Sequence, residues 1–201
     1  MLRGLIARGL ALVVLAATAS SAPVGPLGSI AFAEPPHLYL LPARVAVPSV
    51  DEADEVAVLN LVNQERAAAG LVPLMPHATL QRAARDHGRE MFASGYLTHL
   101  SRDGRTPRDR VLALGVRVTV IGENLAYAVD ARAAHEALMA SGPHRRNILL
   151  PEYRLVGVAV VDGGPDGVIV VEDFSDEGVT FHLSRWWEQA AVPRDRNVRR
   201  R

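Results

Sequence analysis

The chain has 201 residues, 49% of them apolar, and its 22 basic side chains balance 22 acidic ones. That apolar share excludes a disordered chain, the charge balance argues against a general nucleic-acid binder, and the length accommodates one well-buried domain with extensions at both ends. No cysteine is present, which excludes disulfides, a lipid-modified cysteine and thiol catalysis.

Residues 1–33 read as an export signal. "MLRGLIARG" carries Arg3 and Arg8, "LALVVLAATA" is a short apolar run, and "AFA" before Glu34 fits a small-x-small cleavage site, with "TAS" and "SSA" as earlier candidates. The uninterrupted run of about ten residues is shorter than the roughly 20 a spanning helix needs, which favours cleavage over an uncleaved anchor. Cleavage after Ala33 removes two arginines and no acid, leaving a mature charge of 20 − 22 = −2. Every basic residue is Arg and none is Lys, a bias we ascribe to genome composition, since no function would strip Lys from solvated surfaces as well.

Residues 34–50 are rich in Pro and apolar side chains and read as a linker lying on the domain, with a short strand. A helix is then expected, with Ser49 as its cap and Glu52 reaching back in a capping box, Val56, Leu59 and Val62 at helical spacing, and Gly70 as its stop. A second helix follows Pro76, carrying Leu80, Ala83, Ala84, His87 and Met91 on one face and ending at Gly95. Asp103-Gly104 marks a turn, and Thr106-Pro107 opens a short helix with a good cap and proline at its first position. Val116, Val118 and Val120 alternate as in a strand. A helix is expected over 131–140, and "LVGVAVV" and "GVIVVEDF", joined by "DGGPDG", read as a hairpin. Helices first and antiparallel strands last give an α+β layered fold. The tail over 179–201, with Trp186-Trp187 and a terminal Arg cluster, reads as a short helix and a frayed basic end; the sharper alternative is contact with an anionic membrane or cell-wall polymer.

No short catalytic signature is present, so any chemistry comes from scattered groups. His99 follows a helix end and precedes a turn. His144 falls in the first turn of the helix that Ser141 or Gly142 caps and Pro143 starts, where the positive helix end favours a neutral ring. Glu123 sits at the end of an apolar run and needs a partner, for which a histidine is suited. His99 and His144 are thus candidate ligands for a divalent metal such as zinc, though their spacing matches no short metal motif. His87 has apolar neighbours one turn away and reads as a hydrogen-bonded core histidine. His135, beside Glu136, reads as solvated, and His37, His77 and His182 carry no supporting pattern. The Arg145-Arg146 pair reads as a solvated face, with anchoring by Glu152 as the alternative. Asn63 and Arg66, one turn apart, read as structural groups bonding neighbouring backbone.

Taken together, "LNLVNQERAAAGLVPL", "AARDHGREMFASGYLTHLSRDGRTPRDRV", "GENLAY", "SGPHRRNILLPEYRLVGVAVV" and "VVEDF" resemble the CAP superfamily of cysteine-rich secretory, antigen 5 and pathogenesis-related proteins, in its short exported bacterial form. The resemblance implies a CAP (SCP-like) domain over 51–178 built as an α-β-α sandwich, with a central, mostly antiparallel sheet flanked by helices. It also implies a cleft lined by His99, Glu123 and His144, which in some relatives binds divalent metal. Several positions depart from the family pattern. Ser141 stands where many members carry a second glutamate, Leu138 where a tryptophan is usual, and Ala159 where a glycine is common; the order Ser-Gly-Pro-His replaces Ser-Pro-Gly-His.

Three functions follow as expectations. The leading one is an exported binding module, more binder than enzyme, that holds a divalent cation or a polar ligand of the cell envelope in the His99–Glu123–His144 cleft. The second is a metal-assisted hydrolase of peptide or cell-wall bonds, with Glu123 taking a proton from metal-bound water. The third is a structural interaction module in which the same groups form a buried hydrogen-bond network. No nucleic-acid partner is expected.

Overall fold

The computed structural model describes residues 13–16 and 38–176. The rest of the expected export signal and the whole 179–201 extension, with Trp186 and Trp187, lie outside the described residues, as do His37 and His182.

The elements run β1 (Val13–Ala16), β2 (Tyr39–Leu40), β3 (Ser49–Val50), α1 (Glu52–Ala68), β4 (Met75–Pro76), α2 (Ala78–Ser94), β5 (Tyr96–Leu97), α3 (Pro107–Ala113), β6 (Ile121–Ala128), α4 (Ala131–Ala140), α5 (Gly142–Ile148), β7 (Leu155–Asp162) and β8 (Val168–Ser175). One sheet has the order β1-β6-β8-β7-β3, antiparallel throughout, with β4 added parallel to β7. β2 pairs separately with β5. Helices cover both faces, so the architecture is α+β in three layers. Along each strand successive side chains alternate between faces. Ala126, Val156, Val158, Val170 and Phe174 therefore meet Val58, Val62, Leu138 and Ile148 on the α1–α4–α5 side. Leu125, Tyr127, Val161 and Val171 meet Ala84, Met91 and Phe92 on the α2 side. Gly157 sets the α2 distance: a Cβ there would strike the backbone of Leu80 and Gln81.

Most local expectations hold, and the departures have physical causes. The cap of α1 is Asp51, whose carboxylate accepts from the amides of Ala53 and Asp54, because Ser49 and Val50 pair with β7 and are unavailable. The buried stripe of α1 is Glu55, Val58, Val62 and Arg66, whereas Val56 is 59% exposed. α2 ends as expected at Gly95, which takes the left-handed conformation, and α3 carries the full Thr106–Asp109 capping box. Val116 and Val118 are buried without forming a strand: the ladder begins at Ile121, opposite Ser175, and Asp176 takes the amides of Thr119 and Val120 instead. His135 is buried rather than solvated, since its turn of α4 packs on α1 near Glu65, and burial lowers its pKa. Arg145 and Arg146 are exposed.

Asn63 and Arg66 are structural, as expected. Asn63 exchanges two hydrogen bonds with the backbone of Leu74. The fully buried Arg66 donates to the carbonyls of Val72, Ile148, Leu150 and Tyr153, closing the end of α5 onto α1. Truncating it leaves these carbonyls without donors. Arg66→Met is expected to cost about 3 kcal/mol, or roughly 6–12 °C in Tm, in thermal denaturation. A loss near zero would contradict the clamp.

Candidate functional site

Glu123 is the third residue of β6 and has no exposed surface. Two groups meet its carboxylate. Oε1 lies 2.6 Å from His99 Nδ1, and Oε2 accepts from Arg110 Nη2. Arg110 is delivered by α3, one turn beyond the Thr106 cap, and its Nη1 donates to the carbonyl of His99 at 2.8 Å. One guanidinium thus fixes both the acid and the loop carrying the imidazole. Burial alone would raise the Glu123 carboxyl, but the charge of Arg110, helped by His87 and His99, outweighs it and holds the group well below the usual carboxylate range. Because the acid is ionised, His99 Nδ1 carries the proton between them, and a neutral ring presents its lone pair at Nε2. That Nε2 is itself buried and has no hydrogen-bond partner among the described residues; the 16% exposure of the side chain belongs to its other atoms.

His87 supports this loop from below, as a core histidine. Its Nε2 donates to the carbonyl of Thr98 at 2.8 Å, and its Nδ1 lies 3.5 Å from Glu90 Oε2. Glu90 also accepts from the amide of Arg102 at 2.7 Å. The His87 hydrogen bond, opposed by burial and aided by the Arg102 amide, brings the Glu90 carboxyl down to about 2.

His144 belongs to a second polar cluster. Its ring Nδ1 lies 2.7 Å from Ser141 Oγ, so this serine serves the ring rather than the helix amides. Its carbonyl accepts from Asn124 Nδ2 at 3.3 Å, and the same nitrogen reaches Glu172 Oε2 at 3.0 Å. Asn147 donates to Asn124, and Tyr153 donates to Asn147. Glu123 and Asn124 are neighbours on one strand, so their side chains point to opposite faces. The structure therefore brings His99 and Glu123 into contact on the α2–α3 side. It ties His144 to Ser141 through its ring and to Asn124 through its carbonyl.

Sequence reasoning passed over Arg110, Asn124, Asn147, Glu172 and Asp173. A signal existed for the two acids: "VVEDF" places adjacent charged residues inside a strand that is otherwise apolar, and both are fully buried.

Glu123 itself has no free oxygen to offer a divalent cation. One Glu123 oxygen is taken by a guanidinium and the other by His99 Nδ1. Among the described residues no group of three or more His, Asp or Glu is disposed to hold a metal. Two surface hollows, one along α2 at Gln81, Arg85 and Arg89 and one between α1 and β4 at Val56, Leu59 and Pro76, are lined by none of His99, Glu123 or His144.

Residues 59–174 match the model of the family described as "CAP: Cysteine-rich secretory protein family". The chain is 34% identical over 120 residues to the protein YkwD of Bacillus subtilis, covering 59% of this chain and 47% of that one. It is 31% identical over 112 residues to the membrane protein YlbC of the same organism, covering 55% and 32%. The matched segment thus spans about half or less of these relatives. Among solved structures, an extracellular SCP-domain protein of Bacillus anthracis aligns with a TM-score of 0.57 at 24% identity, over 63% of this chain and 41% of that one. An outer surface protein of Borrelia burgdorferi aligns at 0.58 and 17% identity, over 65% and 98%. A cysteine-rich secretory protein of Staphylococcus aureus aligns at 0.52 and 22% identity, over 62% and 38%. At these identities the structural likeness shows the fold.

The second cluster makes a pH prediction. Burial, opposed by the Asn124 hydrogen bond, pushes Glu172 up to about 7, above its ordinary 4.5. Between those values the folded chain keeps a proton that the unfolded chain releases, so stability falls as pH rises. Glu172→Gln is expected to flatten that fall and to gain up to about 3 kcal/mol over the parent at pH 8. Tm measured from pH 5 to 8 for both proteins checks this; parallel curves would contradict it.

Proposed function

The chain belongs to the CAP (cysteine-rich secretory protein) family, and on that premise we propose that it is an exported binding module whose Glu123–His99 dyad holds a polar ligand of the cell envelope. The observation that carries the reading is the orientation of His99. Its inner nitrogen is held by a buried carboxylate, which leaves a buried Nε2 with no partner among the described residues, and a ligand hydroxyl or amide N–H would supply one. Export is supported by the leader-like N-terminus and by the company the fold keeps, an extracellular protein and an outer surface protein. Among the described residues no helix is long and apolar enough to cross a membrane. A divalent cation is the lesser alternative for this ligand, because Arg110 and His99 already engage both oxygens of Glu123.

A second reading is a hydrolase, favoured by one observation: a carboxylate-backed imidazole whose other nitrogen has no partner among the described residues is the arrangement that draws a proton from water or a hydroxyl. No Ser or Thr hydroxyl among the described residues contacts Nε2 to act as a nucleophile.

The reading is tested by titrating the full chain with soluble peptidoglycan fragments, following backbone amide shifts at Thr98, His99 and Arg110. His99→Ala is expected to weaken binding about tenfold, the worth of one good hydrogen bond to an oriented imidazole. Zn²⁺ is expected to produce no shifts that depend on His99 and His144. Undiminished binding in His99→Ala would remove the proposal. Fragment turnover that disappears in Glu123→Gln would favour the hydrolase.

A further inference from the structure

Directly opposite Glu123 in the β6–β8 ladder stands Asp173, and opposite Asp173 in the β7–β8 ladder stands Gly157. All three residues share the α2 face of the sheet. Asp173 has no exposed surface, and neither carboxyl oxygen has a hydrogen-bond partner among the described residues. Its isolation has a structural origin. Gly157 offers no side chain, and α2 packs so tightly over that glycine that no group from β7 can reach the acid. The terminal nitrogens of Arg110 serve Glu123 and the carbonyl of His99, and none of its nitrogens bonds Asp173.

What faces Asp173 is an acceptor. Glu123 is its direct cross-strand partner on the same face, both side chains are fully buried, and an ionised Asp173 would set two negative groups side by side there. Two carboxylates in such a space do not both ionise, and the one without a cation keeps its proton. A protonated Asp173 turns the unsatisfied contact into an O–H···O⁻ hydrogen bond, the strong charge-assisted kind. We infer that Asp173 is a neutral carboxylic acid that donates to Glu123 and so positions the Glu123–His99 dyad from inside the sheet. Glu123 then receives a donor from each of three elements: Arg110 from α3, His99 from the loop after β5, and Asp173 from β8.

The direction of the Asp173 pKa agrees: burial raises it well above the ordinary aspartate value, and the Glu123 charge adds to this while Arg110 opposes it. The titratable and charged groups around the pair are Glu123 on β6, Arg110 on α3, His99 on its loop, and His87 with Glu90 on α2. Asp173 is a positioning residue, since it reaches any ligand only through Glu123 and His99.

The inference concerns the dyad proposed to bind ligand, but its experiment uses no ligand, so its failure and the failure of the binding reading are separate results. The full chain labelled with ¹³C at aspartate carboxyls is followed by NMR from pH 5 to 9. Asp173 is expected to show the shift of a protonated carboxyl at pH 5, where an ordinary aspartate is ionised, and a carboxylate shift there overturns the inference. Two variants then read the positioning role through the His99 ring resonances at one fixed pH. Asp173→Asn retains a donor toward Glu123 and leaves the Nδ1–H resonance in place. Asp173→Val removes the donor, strengthens the hold of Glu123 on His99 and moves that resonance downfield. An unmoved resonance in Asp173→Val reduces Asp173 to packing, and if that variant does not fold, the carboxyl titration of the parent still decides the proton.

Discussion

A carboxylate with no contact with water is the constraint that organises the α2–α3 side of this protein. Moving such a charge out of water costs several kcal/mol, and the cost is met only by charge and hydrogen bonds placed before the ligand arrives. Glu123 has Arg110 on one oxygen and His99 on the other. The same arginine grips the carbonyl of His99, so acid, cation and imidazole form a closed ring of contacts. The consequence for function is orientation. An imidazole held by its inner nitrogen cannot spin to offer the wrong tautomer, and its outer nitrogen stays an acceptor.

The remainder of the fold serves that ring by fixing where its parts come from. α3 is seven residues long, and its capping box with Pro107 makes it start where Arg110 can point inward. The loop bearing His99 is anchored twice more, by His87 at the carbonyl of Thr98 and by Glu90 at the amide of Arg102. On the other side of the sheet Arg66 does for α5 what Arg110 does for the His99 loop, holding irregular chain through its carbonyls. His144 is held in that second layer with Ser141, Asn124, Asn147 and Tyr153. Glu172 and Asp173, adjacent on β8 and pointing to opposite faces, place a buried acid behind each cluster.

Much of this was legible in the amino-acid order because it rests on local chemistry. α2, α3, α4 and the β7–β8 hairpin follow from helical or alternating spacing bounded by Gly95, Thr106, Asp130 and the Gly-rich turn, and each lies where its residues placed it. The start of α1 was misread because Ser49 is a good cap by type, yet strand pairing with Asp162 claimed it first. Val116 and Val118 alternate like a strand but have no partner strand among the described residues, since the β6–β8 ladder reaches only to Ile121 and Ser175. The site divides the same way. Glu123 needing a histidine was readable from a charge in an apolar run, and His99 is that histidine. Which face of β6 each residue occupies depends on register, and no spacing along the chain reveals that His144 falls behind Asn124. Arg110 was invisible for a similar reason, since a third arginine within "RTPRDR" has nothing to distinguish it until α3 turns it inward.

The tautomer of His99 is the most direct measure of the central claim. Long-range ¹H–¹⁵N correlation NMR of the full chain, at a pH where this imidazole is neutral, reports which ring nitrogen carries the proton. The account predicts a proton on Nδ1, held toward Glu123, and a bare Nε2. A proton found on Nε2 would mean that Glu123 does not hold the ring, and the oriented acceptor on which the functional reading rests would not exist.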